Sequence, residues 1–184
     1  GENQPYNPAI TSLTNQELPF NDANNLYRLV SGDPAARNPS QITNKLSNLG
    51  LRAVQDFEKT FARKLSPSDY YFNPQIGFIS LNQPLLADEV LGIAFQYTYN
   101  GRVYQVGEFS QDVVPDTVAF GNRAGQQKVL FLKLLKATSQ RTSLPIWDLM
   151  MKNVYPVGSG QLERQDFQFN VLYQEPGGGE KRYL

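Results

Sequence analysis

Asp88-Glu89 and Glu108 stand on either side of a stretch that turns back on itself, so the acidic positions can meet at one end of a hairpin. Two carboxyl groups about 5 to 10 Å apart are what glycoside hydrolysis requires, one as acid and the other as base or nucleophile. The commoner use of such charges is to hold strand ends in water, and that reading is the one carried forward. Ser66-Pro67-Ser68-Asp69 and Gly158-Ser159-Gly160 place hydroxyls in turns, without the Gly-x-Ser-x-Gly or Ser-x-x-Lys context of a nucleophile. Asp112 and Asp116 around Pro115 offer oxygens to calcium, but lack the alternating acidic ligands and turn glycine of an EF-hand. Gly121-Asn122-Arg123-Ala124-Gly125 is not followed by the Lys-Ser/Thr of a phosphate loop.

The chain has no histidine and no cysteine. That removes Ser–His and Cys–His catalysis, thiolate chemistry, disulfides, and Cys-ligated zinc or iron–sulfur sites. Carboxylate pairs, lysine, Ser–Lys, tyrosine and oxygen-ligated cations are the chemistry left. Lys+Arg and Asp+Glu are 17 each, so no overall field draws the chain to nucleic acid or an anionic membrane. Lys128, Lys133, Lys136 and Arg141 beside Phe131 suggest single-strand binding by charge and stacking, yet lysines on a solvated strand edge explain them better. The expectation is a chain without catalytic residues, cofactor, metal or nucleic-acid partner. Trp147, Met150 and Met151 form the one apolar cluster with interface character; they serve either as a protein-docking site or as a buried helix face.

The elements that position these residues are legible in part. Gly1–Phe20 reads as an extended lead-in rich in Asn, Gln and Pro, without the apolar stretch of a secretory leader. A first helix carries Ala23, Leu26, Leu29 and Val30 on one face, with Asn21 or Asp22 as cap and Gly32 and Pro34 as terminators. A second has Asn38 as cap, Pro39, Gln41, then Ile42, Leu46 and Leu49, ending at Gly50. Leu51–Leu65 is read as a strand. Asp69–Phe72 and Gly77–Leu81 are short pieces separated by a turn at Asn73-Pro74. Glu89–Tyr99 is apolar on both faces, as in a central strand. Asn100-Gly101 is the favoured pair for a type I′ turn, so Arg102–Phe109 returns as its partner. Val129–Leu135 reads as a buried strand, and Pro145 opens a third helix with Ile146, Leu149 and Met150 on one side and Asp148 and Lys152 on the other. Phe167, Phe169, Val171 and Tyr173 alternate with polar residues as a half-buried strand, and Pro176–Gly179 begins a flexible exit running to Leu184. The class expected is α+β: one mainly antiparallel β-sheet with two or three short helices packed on it, in a single domain over residues 1–184. A chain that opens on Gly1 and stops at Tyr183-Leu184 is expected to be a piece of a much larger protein.

Several blocks resemble one family. They are Ala62-Arg63-Lys64-Leu65 leading to Tyr70 and Gly77-Phe78-Ile79-Ser80-Leu81; Asp88 to Tyr97, continued by Tyr104-Gln105-Val106-Gly107-Glu108-Phe109; and Phe131 to Lys136, followed by Pro145 to Tyr155. Together, over roughly Gly50 to Leu184, they resemble the SprA (Sov) proteins of the Bacteroidetes, very large proteins of gliding motility and type IX secretion. The resemblance implies a module of an outer-membrane protein-secretion translocon, located in the cell envelope on the periplasmic or cell-surface side. Its implied partners are other parts of the parent translocon and secretion-system proteins, and the family brings no catalytic residue. Barrel wall would need repeated ten-residue alternation and aromatic girdles, which this stretch lacks, so a soluble module is expected. The alternatives are an envelope module binding glycan or peptide through exposed Tyr and Trp, and a hydrolase using Glu89 or Glu108.

Overall fold

The computed structural model describes residues 7–113 and 128–152, and beyond them 165, 167–168, 170, 172–174 and 176–181. By contacts the chain divides into two compact units, Gly1–Met150 and Met151–Leu184. The class is α+β. Unit one holds α1 (Leu26–Ser31), α2 (Pro34–Arg37) and α3 (Ile42–Asn48), strands β1 (Tyr70–Asn73), β2 (Phe78–Leu81), β3 (Leu91–Ile93), β4 (Phe95–Tyr99), β5 (Arg102–Val106) and β6 (Lys133–Lys136), and a 3-10 helix, Pro145–Leu149. Where one sheet was expected, the described strands pair antiparallel in twos: β1 with β2, β3 with β6 and β4 with β5.

Local punctuation builds the helical layer. After α3 the Gly50 N–H bonds the Ser47 carbonyl and the Leu51 N–H bonds the Leu46 carbonyl, with Gly50 at φ +80. This is the double-bonded left-handed stop that glycine permits, and it seats Leu51 and Leu46 together in the core. Asn38 does shape the start of α3, its side chain accepting from the Ser40 N–H and its carbonyl from Ile42. The first helix departs from expectation. Neither Asn21 nor Asp22 caps it; Asn24 accepts from the Leu26 N–H instead. Asn21 is engaged by Gly107, and Asp22 by Arg28. Pro34 opens α2 where a terminator was expected, because Asp33 takes the Ala35 N–H and proline suits a first helical position.

Ile10, Val30, Ala36, Ile42, Leu46 and Leu51 make the core, and Phe57, Val129 and Phe131 pack on it. The lead-in, expected to be extended, opens in the described residues on a turn with the Ile10 N–H on the Asn7 carbonyl, runs from Thr11 to Phe20 without helix or named strand, and is fastened. Ile10 is buried, the Leu13 N–H bonds the Ala23 carbonyl, and the Asn25 N–H bonds the Thr11 carbonyl.

The strand expected at Leu51–Leu65 does not form. Arg52 and Asp56 close a turn, with the Arg52 N–H on the Asp56 carboxylate at 2.7 Å and the Asp56 N–H on the Arg52 carbonyl at 2.8 Å. Val54 inside that turn sits at φ 68, a strained position for a β-branched residue. Phe57 thereby joins the core while Phe61 is left 93% exposed. The single strand expected over Glu89–Tyr99 is two, interrupted at Ala94, where the Gly107 backbone presses in; a Cβ on Gly107 would lie 3.2 Å from the Ala94 Cβ and from the Ile93 carbonyl. The β4–β5 hairpin is as expected, with Asn100 at φ 48 and Gly101 at φ 74. Of Val129–Leu135 only the end enters β6, because the backbone of Val129 and Phe131 is bonded to Arg37 and Glu108. The third helix is a 3-10 turn with no buried residue.

In the second unit, β7 (Tyr173–Gln174) pairs with β8 (Glu180–Lys181) across a turn with Gly177 at φ +80, where a flexible exit was expected. Phe169 and Val171 of the expected alternating strand lie outside the described residues, as do Asp116, Gly121–Gly125 and Gly158–Gly160.

Candidate functional site

The strongest concentration of ionisable chemistry lies where the helical layer meets the end of β5. Glu108 follows the strand and is 1% exposed; the Asp56 carboxylate, 3% exposed as a side chain, is closed within its own turn with Arg52. Arg37, the last residue of α2, meets it as a fork: Nη2 to Oε1 and Nη1 to Oε2 are both 2.6 Å. The Tyr27 hydroxyl donates to Oε1 at 2.9 Å and the Phe131 N–H to Oε2 at 3.0 Å. Each carboxylate oxygen therefore accepts twice.

Arg37 is equally occupied. Its Nε and Nη2 donate to the Ser31 carbonyl at 3.3 and 3.2 Å, and Nη1 also reaches the Val129 carbonyl at 3.2 Å. With the two bonds to Glu108, all five N–H groups of the guanidinium have acceptors. Its plane also lies over the Phe131 ring, 4.8 Å from the centroid. The hydrogen bonds to Glu108 hold the Arg37 guanidinium above its ordinary pKa. Burial first, then the hydrogen bond to Glu108, raises the Tyr27 hydroxyl.

Asn21 secures the other side. Its Oδ1 accepts from the Gly107 N–H at 2.8 Å, its Nδ2 donates to the Gly107 carbonyl at 3.0 Å, and its own N–H bonds the Gln105 carbonyl at 2.8 Å. The side-chain amide thus copies a peptide group and closes the edge of the chain just past β5. Above it, Tyr104 is enclosed by Phe20 edge-on and Tyr97 stacked, each 5.3 Å away, while Tyr97 donates to the Pro19 carbonyl.

The other candidates are dispersed. Glu89 accepts from the Leu86 N–H within its own turn, a bonding network separate from that of Glu108. Asp112 takes the Phe109 N–H and the Gln105 amide, as a turn cap does. Asp69 accepts from the Ser66 N–H, which makes Ser66–Asp69 the turn it was expected to be. Lys136 extends its ammonium onto the carbonyls of Leu86, Ala87 and Glu89. Among the described residues no three Asp or Glu side chains come together as a metal-holding group.

Trp147 and Met150 are half-buried and line, with Leu135 and Ala137, a pit of about 10 Å³, space for a water at most. The 3-10 helix packs on β6 at this point, and Met151, in the second unit, is 58% exposed. A larger open depression of about 330 Å³ is bordered by Phe20, Asp22, Tyr27, Arg102 and Gln105. Of the rings that line it, Tyr104 is buried at 6% exposure, while Phe20 and Tyr27 are half-buried. Arg37 and Tyr27 carried no signal in the sequence: an arginine ending a four-residue helix looks like any solvated charge.

No protein-family model and no curated protein matches this chain.

Proposed function

We propose that the chain is a non-catalytic structural and interaction module of an outer-membrane type IX secretion and gliding-motility translocon, working in the cell envelope against other parts of its parent protein and secretion-system components. The translocon assignment is supported by the resemblance of the Ala62–Leu81, Asp88–Phe109 and Phe131–Tyr155 blocks to SprA proteins. The non-catalytic part is supported by one observation above all. The buried acid best placed for chemistry, Glu108, has both oxygens filled by Tyr27, Arg37 and the Phe131 N–H, which leaves no lone pair for a substrate proton.

The interaction part is supported by the distribution of apolar side chains. Phe61, Ile76, Leu86 and Val103 are 93, 71, 66 and 60% exposed, apolar surface that a partner segment would cover. Two-stranded sheets such as β1–β2 are also marginal alone and gain from further pairing.

An in-frame deletion of this segment from the chromosome of the bacterium that encodes it tests the proposal. The expected result is loss of secreted cargo from the medium and its build-up in the periplasm, with the intact chain fractionating with outer membranes. Normal secretion and gliding after the deletion, or a chain found in the cytosol, would overturn it.

A further inference from the structure

From Lys59 to Leu65 the chain forms no helix, turn, bend or bridge, and it makes no backbone pairing among the described residues. No N–H of this stretch has an acceptor among the described residues, and the one bond to its carbonyls is local, from the Thr60 hydroxyl to Phe61 at 3.4 Å. Every residue from Lys59 to Lys64 is exposed. The stretch is nonetheless held at both ends. Glu58 accepts from the N–H and hydroxyl of Thr138, and the Ser66 N–H is bonded to Asp69. Seven residues without helix, turn or bend between two anchors present a row of backbone donors and acceptors that are unpaired among the described residues, which is the template for strand addition.

The side chains define the occupant. Lys59, Arg63 and Lys64 put three cations on this short stretch. The nearest carboxylate contact among the described residues is Arg63 to Asp69 at 3.8 Å, and Lys59 and Lys64 have no carboxylate partner there. Alternation in an extended chain sets Phe61, Arg63 and Leu65 on one side and Thr60, Ala62 and Lys64 on the other. Phe61, 93% exposed, is covered by none of the described residues.

We infer that Lys59–Leu65 is a docking strand that pairs, by backbone addition, with an extended acidic segment of a partner protein, whose carboxylates meet Lys59, Arg63 and Lys64 and whose apolar side chain covers Phe61. This deepens the reading of the chain as an interaction module by naming the partner's chemistry. Nucleic acid or an anionic membrane would use the same charges but has no use for a row of unpaired amides, and a lone Phe61 provides a single stacking ring.

The test uses the whole chain and a capped nonapeptide with Glu, Val and Glu at alternate positions to lie opposite Lys59, Phe61 and Arg63, a further Glu opposite Lys64 and Thr elsewhere (the Glu–Val peptide). The same peptide with Lys for each Glu (the Lys–Val peptide), a twelve-nucleotide oligo-dT and phosphatidylglycerol vesicles are comparators. Hydrogen exchange of the Lys59–Leu65 amides is expected to slow at least tenfold with the Glu–Val peptide and to be unchanged by the Lys–Val peptide. Lys59→Gln with Lys64→Gln is expected to weaken binding about tenfold. Ala62→Pro, which keeps every charge but removes an N–H, should do the same; far-UV circular dichroism verifies that the exposed substitutions leave the fold intact. No slowing at millimolar peptide, equal slowing by the Lys–Val peptide, Ala62→Pro binding as well as wild type, or tighter binding of oligo-dT or vesicles would each overturn the inference. Turnover of a substrate would instead overturn the non-catalytic reading and leave strand addition standing.

Discussion

Arg37 and Glu108 lie 71 residues apart and meet fork to fork, with two contacts of 2.6 Å and no hydrogen-bonding valence left on either. The pair is buried mainly on one side, Glu108 at 1% side-chain exposure and Arg37 at 18%. It ties the end of α2 to the chain just past β5, and through Val129 and Phe131 to the approach to β6.

Removing one partner strands the other charge. Arg37→Ala is expected to cost about 3 kcal/mol or more in urea unfolding. Arg37→Met with Glu108→Leu should recover part of that loss, since it leaves no unpaired charge but strands the Tyr27 hydroxyl and the Phe131 N–H. If Arg37→Ala unfolds at the wild-type midpoint, the clamp does not hold the layers together.

The Tyr27 hydroxyl gives the pH dependence. Burial and Glu108 raise its pKa above the ordinary 10.0, so the folded state favours the neutral phenol. The unfolded chain releases that proton first. The stabilisation is therefore complete below about pH 10 and is lost as pH rises through the folded value. Urea midpoints for wild type should fall above pH 10, and Tyr27→Phe should flatten that fall. Tyr97, also raised by burial and then by Tyr104, is expected to contribute a separate share, read with Tyr97→Phe.

Gly107 and Gly101 separate crowding from backbone conformation. Both have positive φ, +72 and +74. A Cβ at Gly107 would lie 3.2 Å from the Ala94 Cβ and from the Ile93 and Phe131 carbonyls, whereas Gly101 has open space around it. Gly101→Ala should cost about 1 kcal/mol from conformation alone. Gly107→Ala should cost clearly more, about 2 to 4 kcal/mol, with overpacking added. Equal costs would mean that the close approach at Ala94 does not matter.

Trp147 is half-buried beside Met150, against Leu135 and Ala137. Trp147→Ala is expected to cost about 2 kcal/mol, around half the figure for a fully enclosed tryptophan. A thermal scan that barely moves would assign this ring to a partner surface.

Legibility in the sequence followed the range of the interactions. The stop at Gly50, the type I′ turn at Asn100-Gly101 and the β1–β2 turn at Asn73 are set by neighbours within a few residues, and all three are found. The Leu51–Leu65 strand failed because its apolar spacing says nothing of the Arg52–Asp56 turn that splits it. The Glu89–Tyr99 strand is broken by Gly107, whose approach depends on a fold not yet formed. Glu108 was visible as a candidate, but its meaning lay in Arg37 and Tyr27, each more than seventy residues away. Locally Asn21 fits a helix cap; its use as a stand-in peptide group against Gly107 spans 86 residues and leaves no local pattern.

The central claim, that this chain acts by binding other protein segments, is tested most directly at Phe61. A photo-reactive phenylalanine analogue placed there in the cell that makes the chain, irradiated and followed by mass spectrometry, reports what covers that ring. The account predicts adducts on an acidic, extended segment of an outer-membrane secretion component or of the parent chain itself. Adducts confined to lipid or nucleic acid, or none at all, would contradict it.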